Sequence, residues 1–284
     1  MKKIIRYSMS VLSKLRLPVM MLGCFMLFNS CKKDEADTSC DLFDLDLFPI
    51  SKDVALGAEV AGQIAADPTT YPVLDSVKYA AAYKYLYDMR DRILQGGKLD
   101  HAADFKWQLR IINDKNTLNA FCTPGGYIYV YTGLIEYLDK ADDLAGVLGH
   151  EMAHADRRHS TKTLQSQYGI SILLQIALGQ NPGALATLAT NLLTLKYSRC
   201  HEAQADEYSV IYLSSTSYSC SGAASFFEKL IATGQTGSTP AFLSTHPGEA
   251  SRVTAITTKA ANLGCSTAPS TTGGSYADFK ALLP

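Results

Sequence analysis

The chain has 284 residues, 47% of them hydrophobic and 19% charged, and its net charge is −1. That composition belongs to an ordinary globular protein with a sizeable core, and the length allows one large domain or two small ones. No Lys/Arg-rich run follows the N-terminus, so the electrostatic footprint of a nucleic-acid binder is missing and no nucleic acid is expected as a partner.

The chain opens with five positive charges in residues 1–30 (Lys2, Lys3, Arg6, Lys14, Arg16) and no negative one. The apolar run "LPVMMLGCFMLF" at 17–28 follows, then "NSC". A bilayer span needs about 20 apolar residues, so this run is too short and reads as an export signal. It resembles a bacterial lipoprotein signal over residues 1–30, with Cys31 as the lipidated residue behind the small Ser30. Cys24, behind Gly23, is the rival site, but cleavage there leaves "FMLF" at the new N-terminus; an uncleaved hydrophobic anchor is the other reading. A lipid anchor places the protein in the envelope of a Gram-negative-type bacterium, at the outer membrane. "KKDEAD" directly after Cys31 resembles a surface-export tag of some lipoproteins. Without residues 1–30, 21 basic and 27 acidic residues remain, a charge of about −6. Cys40, Cys122, Cys200, Cys220 and Cys265 then form an odd set. In an oxidising compartment one or two disulfides are expected, with a thiol left over and the pairing open. None has Cys-x-x-Cys spacing, so none is assigned to chemistry.

Residues 31–50 read as a linker that turns apolar at "LFDLDLFPI". "SKDVALGAEVAGQIAAD" at 51–67 predicts a helix with Ser51 as N-cap. Ala82, Leu86, Met89 and Ile93 recur at helical spacing within 76–95, and Gly96-Gly97 ends that helix. Phe105, Trp107, Leu109 and Ile111 alternate as in a half-buried strand over 105–114. Two short strands, 117–122 and 127–131, flank the turn residues Pro124-Gly125-Gly126. A helix follows from Asp142 and Asp143, whose charge favours its N-terminus, to about residue 158. The apolar stretch 164–197 is broken by "GQNPG" and predicts a helical hairpin packed on the core rather than a membrane span. Further helices are expected at 198–213 and 221–233. The Ser/Thr/Gly-rich tail 264–284 reads as loose. No internal repeat is visible.

The chemistry concentrates at "GVLGHEMAHADRRHS", residues 146–160. Residues four apart on a helix lie about 40° apart, so His150 and His154 point the same way and their imidazoles can share one metal ion. Glu151 lies about 100° round, near enough to work on a water without being a ligand. Taken alone, the motif also fits a surface helix with two histidines and a salt-bridging glutamate. A catalytic zinc needs three protein ligands and an open fourth position. His159 is nine residues past His150, about 180° round a continuous helix, and is expected to face away in a structural role. Glu202 and Asp206 in "CHEAQADEY" share one face of a later helix. Glu202 can complete a His₂Glu set, and Asp206 can hold the outer nitrogen of a ligand histidine. His201 points about 100° off this face. Two acids on a solvated helix are the ordinary alternative.

Together, "HEMAH", "SRCHEAQAD", "NAFCTPGGYIYVYTGL" and "STHPGEASR" resemble the HtpX/BepA-type zinc metallopeptidases, the gluzincin family that includes the CAAX prenyl endoprotease. The match runs over roughly residues 50–260. It implies an α+β fold, mostly helical, with a small antiparallel or mixed sheet and the His-Glu-x-x-His helix, here as a zinc metallopeptidase domain at 51–263. It implies one Zn²⁺ held by His150, His154 and Glu202, with Glu151 as general base and acid and Asp206 supporting a ligand. It implies that Asn119, Ala120 and Phe121 belong to an edge strand that pairs with an extended substrate; an edge strand offers free backbone donors and acceptors. On the residues alone, an ordinary strand is an equal reading. His246 of the His-Pro block would donate to the developing oxyanion, or ligate the metal in a resting, closed state, and Arg252 would fix that loop. BepA-type members can carry a helical-repeat domain after the peptidase; the short stretch after the last block leaves none to be expected in this sequence. The implied function is endoproteolysis of extended or unfolded envelope proteins. The alternatives are a chaperone or assembly factor that keeps the groove, against which the intact Glu151 argues, and a plain binding lipoprotein in which the motif is accidental. Cys122 and Cys200 lie near these residues; a bridge between them, or a free Cys200, would link the site to redox state.

Overall fold

Apolar spacing sets the first two helices. α1 (Ile50–Ala65) and α2 (Ala80–Gln95) each turn one stripe inward, and in α2 that stripe is Ala82, Leu86, Met89 and Ile93. The computed structural model describes residues 47–233, 241–246, 250–271 and 274–284, all within one compact unit. The expected signal segment, Cys31, Cys40 and most of the expected 31–50 linker lie outside the described residues. The cap of α1 differs from expectation: Pro49, in extended conformation, precedes the helix, and Ser51 sits inside its first turn. A proline has no N–H to leave unsatisfied at that place.

β1 (Gln108–Ile112), β2 (Ala120–Thr123) and β3 (Tyr127–Tyr131) form a mixed sheet in the order β1-β3-β2, with β1 parallel and β2 antiparallel to β3. Trp107, at φ +45°, bends the backbone just before β1, so the strand starts later than the alternation suggested. Gly125 and Gly126, at φ +75° and +82°, make the β2–β3 turn in a region that side chains disfavour. Side chains alternate across the sheet. Leu109, Ile111, Ala120, Cys122, Ile128 and Val130 face one apolar cluster, while Ile112, Phe121, Tyr127, Tyr129 and Tyr131 face another. β2 and β3 are therefore covered on both faces, while β1 keeps the expected alternation, with Leu109 and Ile111 buried and Gln108 and Arg110 partly exposed.

The remaining helices are α3 (Thr132–Tyr137), α4 (Ala141–Asp156), α5 (His159–Tyr168), α6 (Ile170–Ala177), α7 (Pro182–Asn191), α8 (Arg199–Leu213), α9 (Gly222–Ala232), α10 (Ala241–Thr245), α11 (Ala250–Leu263) and α12 (Tyr276–Ala281). Every residue of α4 is buried, against β2, α8 and α9. It crosses α9 at a pair of glycines. A Cβ on Gly146 would lie 2.0 Å from the Ala223 nitrogen, and one on Gly222 would lie 2.0 Å from the Asp142 carbonyl oxygen. At the start of α4, Asp143 accepts the amides of Asp139 and Lys140. The fold is α+β, mostly helical around this small sheet.

The stretch expected as a hairpin is three short helices, α5 to α7. α6 and α7 meet at a 107° bend and pack on α1 through Leu173, Ile176 and Leu188. No single helix among the described residues is long and apolar enough to cross a membrane.

The tail beyond 264 is docked, contrary to its composition. A disulfide joins Cys220 to Cys265, the Ser270 amide donates to the Asp142 carboxylate, and α12 buries Tyr276 and Phe279. Phe279 stacks on Tyr85 at 4.2 Å. Two aromatic residues supply the apolar anchor that the average composition conceals. Cys200 is disulfide-bonded and Cys122 is a buried free thiol. A Cys122–Cys200 bridge and a free Cys200 are thereby both excluded.

Candidate active site

α4 presents His150 and His154 one turn apart, and their Nε2 atoms converge to 3.0 Å. α8 brings Glu202 against them, with Oε1 3.4 Å from His154 Nε2 and Oε2 3.4 Å from His150 Nε2. His246, at the end of α10, adds Nδ1 at 3.0 Å from Glu202 Oε1 and 3.4 Å from His150 Nε2. One ligand-type atom from each of these four residues lies within 4.8 Å of the others. All four residues are buried. Two ring nitrogens that face each other at this distance can share one proton at most, and buried polar atoms left unmatched are costly. A cation at their centre resolves both problems, and the His/His/Glu donor set suits zinc.

Glu151 is fully buried beside this cluster. Neither of its oxygens has a hydrogen-bond partner, and His246 Nε2 lies 3.5 Å from its Oε1. Burial pushes its carboxyl above the usual carboxylate range.

A second layer holds these groups. Asp206, one turn past Glu202, places Oδ1 3.0 Å from His150 Nδ1. Arg252 of α11 grips Asp206 through Nε and Nη2, both at 2.7 Å, and reaches Glu202 Oε2 at 3.0 Å. Its guanidinium lies over the Phe227 ring at 4.1 Å. Arg252 thus ties α11 to the acids of α8 as well as reaching the His246 carbonyl oxygen. Burial disfavours a charged His150, but Asp206 and Glu202 outweigh it and raise the ring to about 9. Burial dominates at His154 and holds it well below the usual value. Glu202 resists burial through His246 and His154 and stays well below the carboxylate range; Asp206 does so through Arg252.

β2 lies against α4 and has β3 as its strand neighbour among the described residues. Ala120 and Phe121 open that strand, and Asn119 precedes it with a buried Oδ1 that has no hydrogen-bond partner. The Phe121 ring turns to the far face of the sheet and stacks on Tyr129 at 4.7 Å, so its side chain is not brought to the cluster. Next to this edge, the Phe242 amide of α10 donates to the Leu118 carbonyl at 2.9 Å.

Four neighbours of the site were not anticipated in these positions. Helix α4 does not run on to residue 158; Arg158 at φ +61° breaks it, and α5 starts with His159. His159 therefore comes to the outer side of His154, Nδ1 to Nδ1 at 3.0 Å, instead of facing away. It stays outside the four-residue cluster, and Gln204 sits behind it. Tyr197 stacks on His154 at 3.9 Å, with its hydroxyl 2.8 Å from Ser160 Oγ. Phe242 stacks on His246 at 4.4 Å. The signals were faint: an aromatic four residues before a histidine, and a tyrosine just before the Ser198 cap.

Residues 84–260 match the model of the family described as Peptidase family M48. Among curated proteins, the chain is 34% identical to "Mitochondrial metalloendopeptidase OMA1" of Schizosaccharomyces pombe over 158 residues, 54% of this chain and 47% of that protein. It is 30% identical to "Metalloprotease YcaL" of Escherichia coli over 48% of this chain and 55% of that protein. It is 30% identical to "Putative beta-barrel assembly-enhancing protease" of Vibrio cholerae over 51% of this chain and 32% of that protein. The match thus spans about half or less of these relatives' own lengths.

Proposed function

The chain belongs to Peptidase family M48, and from that premise we propose that it is a zinc-dependent endopeptidase acting on extended or unfolded proteins of the cell envelope. The observation that carries this reading is the convergence of His150, His154 and Glu202 beside the unpartnered carboxylate of Glu151. His150, His154 and Glu202 would hold one Zn²⁺, which supplies Lewis acidity and makes a water acidic near neutral pH. Glu151 takes the proton from the attacking water and returns it to the leaving amine. Asp206 orients His150, and Arg252 neutralises the acids behind it. Asn119, Ala120 and Phe121 offer backbone at the sheet edge for an extended substrate to join as another strand. The envelope setting rests on the signal-like N-terminus with Cys31 as lipid anchor to the outer membrane, and on the names of the bacterial relatives.

A buried Glu151 means that substrate enters only after something moves. α10 is the covering element, since it carries His246 into the cluster and bonds Leu118 beside the edge strand. In a closed state His246 would serve as a fourth ligand; once withdrawn, the same ring could donate to the oxyanion through Nε2, which faces Glu151. The test is degradation of an unfolded model protein by the purified, zinc-loaded full chain beside Glu151→Gln. A loss of about 10²–10⁴-fold with zinc retained is expected. Equal cleavage by both proteins would overturn the assignment of Glu151. Zinc binding without cleavage by the parent would favour the chaperone-like alternative.

A further inference from the structure

We propose that His159 and Gln204 form a neutral relay that positions His154 as a metal ligand. The inference rests on the zinc reading above. The geometry is a chain of three contacts. His154 turns Nε2 toward His150 and Glu202, and its outer Nδ1 meets His159 Nδ1 at 3.0 Å. The other nitrogen of His159, Nε2, lies 2.7 Å from Gln204 Oε1.

Proton placement along this chain has one consistent solution. If His154 binds a cation through Nε2, its single proton sits on Nδ1 and must be donated outward. The group it meets is His159 Nδ1, which must then be the bare, accepting nitrogen. His159 therefore carries its own proton on Nε2 and donates it to the carbonyl oxygen of Gln204. Each link fixes the next, and every member is uncharged. The reverse order, His159 donating to His154, would put the His154 proton on the nitrogen that faces the cluster and block it.

The surroundings hold the relay in place. His159 is fully buried and stacks on His201 at 4.3 Å with the rings nearly parallel. His201 and Gln204 lie three apart on α8 and share a helix face about 150° round from the one that carries Glu202 and Asp206. One helix thus supplies a ligand and both orienting devices: a carboxylate for His150 and an amide, through His159, for His154. The break at Arg158 is what allows it, since it swings His159 back against the last turn of α4. His159 is a positioning residue; it does not touch the reacting atoms.

The experiment measures zinc affinity of the full chain in detergent by competition with a chromophoric chelator, for the parent, His159→Phe and Gln204→Leu. Phenylalanine keeps the ring on His201 and removes the acceptor. Leucine keeps the volume and removes the far end of the chain. Orienting partners of metal-ligating histidines are typically worth about 10–100-fold in metal affinity, so a loss in that range is expected for His159→Phe, with a smaller loss in the same direction for Gln204→Leu. The melting temperature of each zinc-free protein is read in parallel and should stay near the parent's, which a purely structural role would not allow. A folded His159→Phe protein with the parent's zinc affinity overturns the proposal and leaves the zinc reading intact. If His159→Phe does not fold, unchanged affinity in Gln204→Leu overturns it. If the parent takes up no zinc, the functional reading itself fails, and the relay with it. Nitrogen NMR of the zinc-loaded parent supplies an independent signature: a proton on His159 Nε2 and none on Nδ1 is expected, and a proton on Nδ1 overturns the relay.

Discussion

Asp206 shows how much one carboxylate can carry. It is buried, bonded twice by Arg252 and close to His150, and these partners hold its pKa below 3.8. A carboxylate depressed in the folded state contributes stability that is fully present above its unfolded pKa, near 4, and is lost as pH falls through the folded value. Glu202 is depressed too, so it adds to the effect in the same direction. In excess chelator, the melting temperature of the parent should fall steeply below about pH 4, and Asp206→Asn should fall less steeply over that window. Identical slopes would mean that Asp206 is not a source of the acid sensitivity. Its shared face with Glu202 was legible in the sequence, because a spacing of four on a helix fixes that face whatever the rest of the fold does. His159 was not, because its placement depends on a left-handed residue at Arg158, and no rule of spacing announces a helix break in "ADRRHS". Phe121 shows another limit: the role expected of it uses the strand backbone, and strand alternation sends its ring to the other face of the sheet.

Among the secondary-structure elements, periodic pattern succeeded where one stripe had to be buried and failed where an element was too short or its backbone turned unexpectedly. α2 was readable from its four apolar positions, and the β2–β3 turn from its glycines. α3 was missed because six residues are too short to show a helical period, and β1 starts late because Trp107 adopts a positive φ. The α4–α9 crossing was illegible for another reason. Gly146 lies inside a helix, where glycine normally weakens the chain by about 1 kcal/mol relative to alanine. Its value emerges only against a neighbour: the Ala223 nitrogen would lie 2.0 Å from any added Cβ. Gly146→Ala should therefore lose stability despite its better helix propensity, by roughly 1–3 kcal/mol as an overpacked contact. Urea unfolding of the zinc-free protein would measure it, and a stabilised variant would show that the two helices can part without cost. Since α4 carries His150 and His154, the same change should also weaken zinc binding.

For the molecule as a whole, the tail is the part that composition misjudged. The Cys220–Cys265 bond closes a segment of 45 residues, and α12 docks beyond it on Tyr85. Cross-links of this kind stabilise a fold by about 2–4 kcal/mol, chiefly by restricting the unfolded chain. Replacing both cysteines with serine should lower stability by that order and raise amide exchange in α11 and α12; unchanged exchange there would mean that α12 docks without the bond. If α10 covers the cluster, the consequence is of a different kind. When a protein occupies its own binding edge, every ligand sees only the open fraction of molecules, and its apparent dissociation constant rises by the inverse of that fraction. With about one molecule in a hundred open, an intrinsic affinity of about 1 μM would be measured as about 100 μM. Dilute, briefly exposed segments of native proteins would then escape, while a stalled chain held nearby at high local concentration would be engaged. Discrimination between sound and damaged clients would in that case reside in an opening equilibrium rather than in any pocket.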